Sequence, residues 1–312
     1  MNATALLCVV LLATFGVASL LLSSLVVLAW RAGVRRMTAT SADLLTLRLL
    51  PVAGGLLIAF TVVLPAFLSH EPSQQREAAG PLLVMLAAFS LVCLSHGIWR
   101  GWHACVAAHA LLNSDGASDR RIVESGQEVR LVDVTEPVTA VIGVWHPRIV
   151  TADSVRFICN PDEFRQVIAH ETAHIAARDN LKLLLQVVAP DALAWTPLGA
   201  TLTDHWRAAA EREADRCATG DDPEKRVALA SALIKVARLF NTCDDARRAS
   251  SMPAAVDDVP CRVRQLLKPP AQPYPARILQ ALASCALLIP LGALPLYAPV
   301  HELVEWLVRF RL

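Results

Sequence analysis

Apolar residues fall along the chain in long uninterrupted runs at its two ends and in short periodic ones between them. Asn2 to Trp30 contains no charged side chain, which exceeds the roughly 20 residues an α-helix needs to cross a bilayer. Further apolar runs cover Leu49 to Ser69, Pro81 to Trp99 and Ile278 to Ala298. Pro51, Gly54, Gly55 and Pro65 in the second run, and Pro290 and Pro295 in the fourth, would break soluble helices. In a membrane they are tolerated where neighbouring groups re-satisfy the backbone. The pattern therefore predicts a mainly α membrane protein with about four transmembrane helices.

Between the third and fourth runs the pattern shortens. Strand-like pieces at Glu128 to Val134, Val138 to Val144 and Arg148 to Val150 are punctuated by Pro137, Gly143 and Pro147, which predicts a small sheet. An edge strand of that sheet could hold an extended peptide by main-chain hydrogen bonds, or the sheet could only support the helix that follows. Helical periodicity follows over Asn160 to Asn180, Asp204 to Ala218, Val227 to Phe240 and Arg262 to Leu267. Leu181 to Leu202 is largely apolar but divided by Pro190 and Pro197. It reads either as a helical hairpin leaning on the membrane face or as a plain soluble helix pair. Asn113 to Gln127 and Thr242 to Pro260 are polar and turn-rich, a linker and a loop. The expected organisation is three spans over 1–103, a polar α+β domain over 104–277, a fourth span over 278–298 and a short tail over 299–312.

Composition supports the membrane reading: of 312 residues 54% are hydrophobic and only 18% charged, which is too apolar for an ordinary soluble protein. A net charge of +1 gives no reason to expect nucleic acid as a partner. The first run lacks the basic n-region and short apolar core of a signal peptide, so it reads as a retained span. Basic residues set the expected orientation. Arg31, Arg35, Arg36 and Arg48 follow the first span, whereas Arg76 alone offsets Glu71 and Glu77 after the second. By the positive-inside rule the N-terminus lies outside a multi-pass cell (plasma) membrane and the polar domain lies on its cytoplasmic face. The eight cysteines form no Cys-x-x-Cys pair, so reduced thiols are expected rather than a thiolate zinc site.

The chemistry concentrates in Asn160 to Asn180. Asn160 can cap that helix, Pro161 suits its first position and Glu163 can complete a reciprocal cap. Within it His170 and His174 are four residues apart, one turn on one face, where a single metal ion can bridge them. Glu171 is placed to act as a general base beside that ion. Two histidines leave a tetrahedral zinc short of protein ligands. One known way to complete the shell needs glycine at 177 and histidine at 180, but this chain has Ala177 and Asn180. A glutamate on a following helix is the other common solution. Glu211 is the candidate, and Asp215, one turn on, could hold a ligand histidine's second nitrogen. Taken alone, Glu and Asp at this spacing are usually a solvated helix face, and it is the histidine pair that favours Glu211 as ligand. His205, Arg178 and Arg207 are candidates for stabilising an oxyanion.

The membrane runs, the strand pair Pro137 to Gly143 and Pro147 to Val150, the helix NPDEFRQVIAHETAHIAARDN and the sequence Glu211-Arg212-Glu213-Ala214-Asp215 together resemble integral-membrane zinc metallopeptidases of the BlaR/MecR type. The resemblance implies a gluzincin fold and one Zn2+ per chain held by His170, His174 and Glu211, with Glu171 as base. It also implies a protein substrate, a cytoplasmic regulator such as a transcriptional repressor, at the lipid bilayer. Two departures matter. About a dozen residues follow the last apolar run, so the sensors' penicillin-binding domain is not carried over. Ala214 stands where the sensors tend to have cysteine, which is closer to the HtpX-like quality-control proteases. A non-catalytic membrane scaffold is the third expectation.

Overall fold

The computed structural model describes residues 3–33, 40–70, 79–112, 120–134, 137–244, 259–268 and 302. The expected fourth span and 245–258 of the expected Thr242 to Pro260 loop lie outside the described residues, while the two ends of that loop are helical instead. The chain divides into two compact units. One comprises Met1–Trp102, Leu185–Trp206 and Tyr274–Leu312, the other His103–Leu184 and Arg207–Pro273.

The first unit contains three helices long and apolar enough to cross a membrane. Helix α1 covers Ala3–Ala32. Helix α2, Ser41–Ile58, starts at a capping box in which the Thr40 side chain accepts from Asp43 N. It runs through a widened π turn, Ala59–Val63, into α3, Leu64–His70. That turn lies just before Pro65, whose ring would otherwise press on the carbonyl four residues back. Helix α4 covers Pro81–Leu112. Leu6, Val10, Ala13, Val63, Phe67, Leu83 and Ala87 form the buried seam between them, while Leu21, Leu25, Phe60, Leu68 and Met85 are exposed, as lipid-facing residues must be. A side chain at Gly16 would run into Ser90 Oγ, and that hydroxyl instead donates to Leu12 O at 2.7 Å. Small residues of this kind let membrane helices approach closely.

Arg48 differs from its expected place in a loop. Because α2 begins at Ser41, Arg48 lies inside the helix and is buried, donating to Asp191 Oδ2 at 2.7 Å and to Gln186 O at 3.0 Å. Asp191 precedes a short 3-10 turn, Ala192–Trp195, and caps it through Ala194 N. The Leu181 to Leu202 stretch divides between two elements: α7, Asp179–Val188, and the start of α8, Pro197–Thr219.

The second unit is built on four strands: β1 Arg120–Glu124, β2 Gln127–Val132, β3 Thr139–Ile142 and β4 Arg148–Ala152. Their order is β1-β2-β4-β3, with β2 parallel to β4 and the outer pairs antiparallel. Strand β1 falls within the expected linker. Its sequence RRIVE hides a strand behind charged residues, and Ser125 and Gly126, at φ 53° and 78°, close the two-residue turn that the twist of a hairpin favours. A short helix α5, Asp153–Ile158, precedes α6, Pro161–Ala177, and α9, Pro223–Asp244, and α10, Val259–Leu266, follow.

Helix α6 is the centre of this unit. Asn160 Oδ1 accepts from Glu163 N and Glu163 Oε2 accepts from Asn160 N, both at 2.8 Å, which satisfies two of the helix's orphan donors. Phe164 and Ile168 bury one face against Val129, Ile149, Val155 and Ala232, each contributing roughly 1.5–3 kcal/mol of apolar burial. From α9, Ser231 and Lys235 donate to the Glu163 carboxylate at 2.6 and 2.7 Å. The buried face is thus fixed at both core and cap, and the opposite face carries the histidines.

Candidate metal centre

On α6 the two imidazoles meet edge to face with centroids 4.7 Å apart, and their Nε2 atoms are separated by 3.1 Å. Helix α8 brings Glu211 to the same point, with Oε2 3.3 Å from His170 Nε2 and Oε1 3.5 Å from His174 Nε2. Ligand atoms of all three lie within 4.8 Å of one another, a group that could hold a metal ion. Zinc bonds of about 2.0–2.1 Å in a tetrahedral site imply ligand separations of about 3.3 Å. The Nε2–Nε2 distance and the distance from each Nε2 to its nearer Glu211 oxygen, a different oxygen for each histidine, lie close to that spacing.

The outer nitrogens explain why a cation belongs there. His174 Nδ1 lies 2.8 Å from Asp179 Oδ2. His170 Nδ1 lies 2.9 Å from Asp215 Oδ1, a close electrostatic contact rather than an aligned hydrogen bond. Carboxylates at both Nδ1 atoms select the Nδ1–H tautomer. Both Nε2 lone pairs then face each other and the Glu211 carboxylate, with Arg262 Nη2 3.5 Å from His170 Nε2, and a proton or a metal ion between the two nitrogens would relieve their repulsion. The residues therefore fit a divalent metal.

The electrostatics follow the same logic. Burial by itself would lower both histidines, but Asp215 and Glu211 outweigh it and raise His170, while Asp179 and Glu211 push His174 up to about 10. Burial would raise Glu211, yet the bonds from His170 and His174 and the charge of Arg262 hold its carboxyl well below the usual range. Glu171, buried beside His170, is shifted up chiefly by desolvation. A carboxyl raised in this way is the more basic for it, the property a proton acceptor needs.

Arg262 completes the centre, although in the sequence it is marked only as the start of the Arg262 to Leu267 helix. Its Nε and Nη2 donate to Asp215 Oδ2 and Oδ1 at 2.9 and 2.6 Å, and its Nη1 stands 2.8 Å from Glu211 Oε2. No local motif announces it, because it arrives 47 residues after Asp215 on another helix. Asp179 was likewise missed. It reaches back to His174 because Arg178, at φ 55° and ψ 42°, ends α6 in the left-handed region and turns the chain into α7. Of the oxyanion candidates, Arg178 and Arg207 are exposed, and His205 Nδ1 donates to Thr201 O at 2.8 Å with its ring against Trp30.

In comparison with known families, the model for Peptidase family M48 matches residues 124–217. No curated protein and no solved structure matches the chain. The match spans β2 to most of α8 and includes His170, Glu171, His174, Glu211 and Asp215, with Arg262 beyond it. M48 peptidases are metal-dependent, so the match supports a metallopeptidase domain, here in a chain with three helices able to cross a membrane.

Proposed function

We propose that the chain is a membrane-embedded zinc endopeptidase in which His170, His174 and Glu211 hold one Zn2+ and Glu171 is the catalytic base. The observation that carries this reading is the convergence of both Nε2 atoms and the Glu211 carboxylate on one point, with both Nδ1 atoms turned to carboxylates. Two histidines and one glutamate, leaving a fourth position open, form a donor set of catalytic rather than structural zinc sites. Zinc bound there supplies a Lewis acid that polarises a carbonyl and activates water. Glu171 takes the proton of the attacking water and returns it to the leaving nitrogen. Asp179 and Asp215 hold the two imidazole planes, and Arg262 balances the charge of Asp215 and Glu211 so that the carboxylates stay ionised.

The substrate in this reading is a cytoplasmic or juxtamembrane protein, a regulator such as a repressor, as the BlaR/MecR-type resemblance implies. The distribution of arginines supports an orientation with the N-terminus outside and the site on the cytoplasmic face, in this reading of the plasma membrane. One observation favours a second reading, the HtpX-like quality-control protease. Ala214, between Glu211 and Asp215, is buried on α8 where the sensors tend to have cysteine. A proteome-wide comparison of cleaved peptides separates the two, giving one or a few sites for a regulator and many for quality control.

The test of the peptidase itself is Glu171→Gln. This variant is expected to bind about one zinc per chain, as the unchanged ligands require, and to lose cleavage by about 10²-fold or more. Cleavage retained with zinc bound would remove Glu171 as base. A purified wild-type chain without zinc at neutral pH would favour the scaffold.

A further inference from the structure

Asp179 and Asn180 are consecutive, and they point to different parts of the second unit. Asp179 Oδ2 meets His174 Nδ1 at 2.8 Å, whereas Asn180 Nδ2 donates to Val141 O at 3.0 Å and to Gly143 O at 2.8 Å. Strand β3 is the edge of the sheet. Its register pairs Ala140 with Val150 and Val141 with Ile149, and Val138 O accepts from Ala152 N at 2.8 Å. Even-numbered residues of β3 therefore bond to β4, Thr139 and Val141 turn their backbone groups outward, and Gly143, just past the strand, presents its carbonyl to the same amide. One amide spans the Val141 and Gly143 carbonyls. Gly143 can sit there because it holds φ at +100°, where a Cβ would come within 2.8 Å of His146 O.

We infer that Asn180 is a positioning residue for substrate, fixing the open edge of β3 to the end of the metal-bearing helix and stopping strand addition at Val141. The inference rests on the peptidase reading and names how an extended peptide main chain would be held. An added strand bonds to outward N–H and C=O groups of an edge. With the Val141 and Gly143 carbonyls taken by Asn180, the grip is limited to the backbone of Thr139 and the N–H of Val141. That limit sets the register of the peptide, and therefore which bond is presented. Through Asp179 the same two-residue step ties the register to the orientation of His174. The alternative role for an edge amide, simple protection against association, would not depend on the distance to the metal helix.

The experiment compares wild type with Asn180→Ala and Asn180→Asp in the full-length, zinc-loaded protein, with fluorescein-labelled β-casein as probe. Aspartate keeps the size of the side chain but cannot donate to two carbonyls, so packing alone predicts that it behaves as wild type. Both variants are expected to keep their zinc and their melting temperature. Although two carbonyls are set free, the edge is no longer held to the metal helix, so productive binding should weaken and KM rise about tenfold, the effect of about 1.4 kcal/mol at 25 °C, with kcat within about twofold. Mass spectrometry of the fragments should show additional cleavage sites as the register is released. Unchanged KM and an unchanged fragment pattern in both variants, or wild-type behaviour of Asn180→Asp, would overturn the inference. Binding of the labelled casein is measured separately by anisotropy. If wild type binds casein without cleaving it, the peptidase reading fails while the positioning role is decided by binding: a weaker Kd in both variants supports it and an unchanged Kd rejects it. If wild type neither binds nor cleaves casein, both fall.

Discussion

His170 and His174 each use one nitrogen on a carboxylate and turn the other toward a shared point, and this arrangement has a consequence for pH. In the metal-free protein the second proton on His174 is held up to about pH 10, and His170 is also raised by Asp215 and Glu211 against its burial. A metal must displace those protons, so they compete more strongly as pH falls. Zinc affinity, measured by competition with a chromophoric chelator between pH 6 and 9, is expected to rise by about tenfold per pH unit for each proton displaced. A flat profile would show that the rings are already unprotonated. The spacing of the two histidines is readable because a four-residue step fixes a shared face within one helix. Asp179 is not readable in the same way, since it comes into reach only through the left-handed Arg178, a conformation that an arginine does not advertise.

At the scale of elements, α10 has eight residues and places one side chain. Leu266 packs with Leu229 and Ala230 of α9, and Arg226 donates to Leu266 O at 2.7 Å and also to Lys268 O. This seat delivers Arg262 to Asp215, a pair whose side chains are 9% and 7% exposed. Breaking a buried pair from one side leaves a charge uncompensated, at a cost of about 3–5 kcal/mol. Arg262→Ala is therefore expected to lower the thermal midpoint and to weaken zinc binding about 10–100-fold. Arg262→Lys should recover little, because a point charge cannot make the paired contacts to Asp215. Midpoint and affinity unchanged in the alanine variant would remove Arg262 from the centre. The long helices and the capped α6 were readable from periodicity and caps. Strand β1 was obscured by its two arginines, and α10's role by its distance along the chain from the residues it serves.

For the molecule as a whole, three helices long and apolar enough to cross a membrane suggest membrane anchoring, and the sidedness of the site is open to a direct test. Cys217 lies on α8 and is exposed. With the other cysteines replaced, a membrane-impermeant maleimide should label it in intact cells only after permeabilisation if the second unit is cytoplasmic. Labelling of intact cells would invert the orientation. Arg48 is a poor guide to that sidedness, because it is neutralised inside α2 by Asp191 rather than placed in a basic loop. The same pair bears on how the protein is made. Asp191 is 143 residues downstream of Arg48, so at about 5–20 residues per second the ribosome takes roughly 7–30 s to supply the counter-charge. Throughout that interval α2 lacks the Asp191 carboxylate, and if α2 spans a membrane its guanidinium has to stay in water or within the insertion machinery. Release of such a helix into lipid would then be tied to translation of a segment that follows the entire sheet.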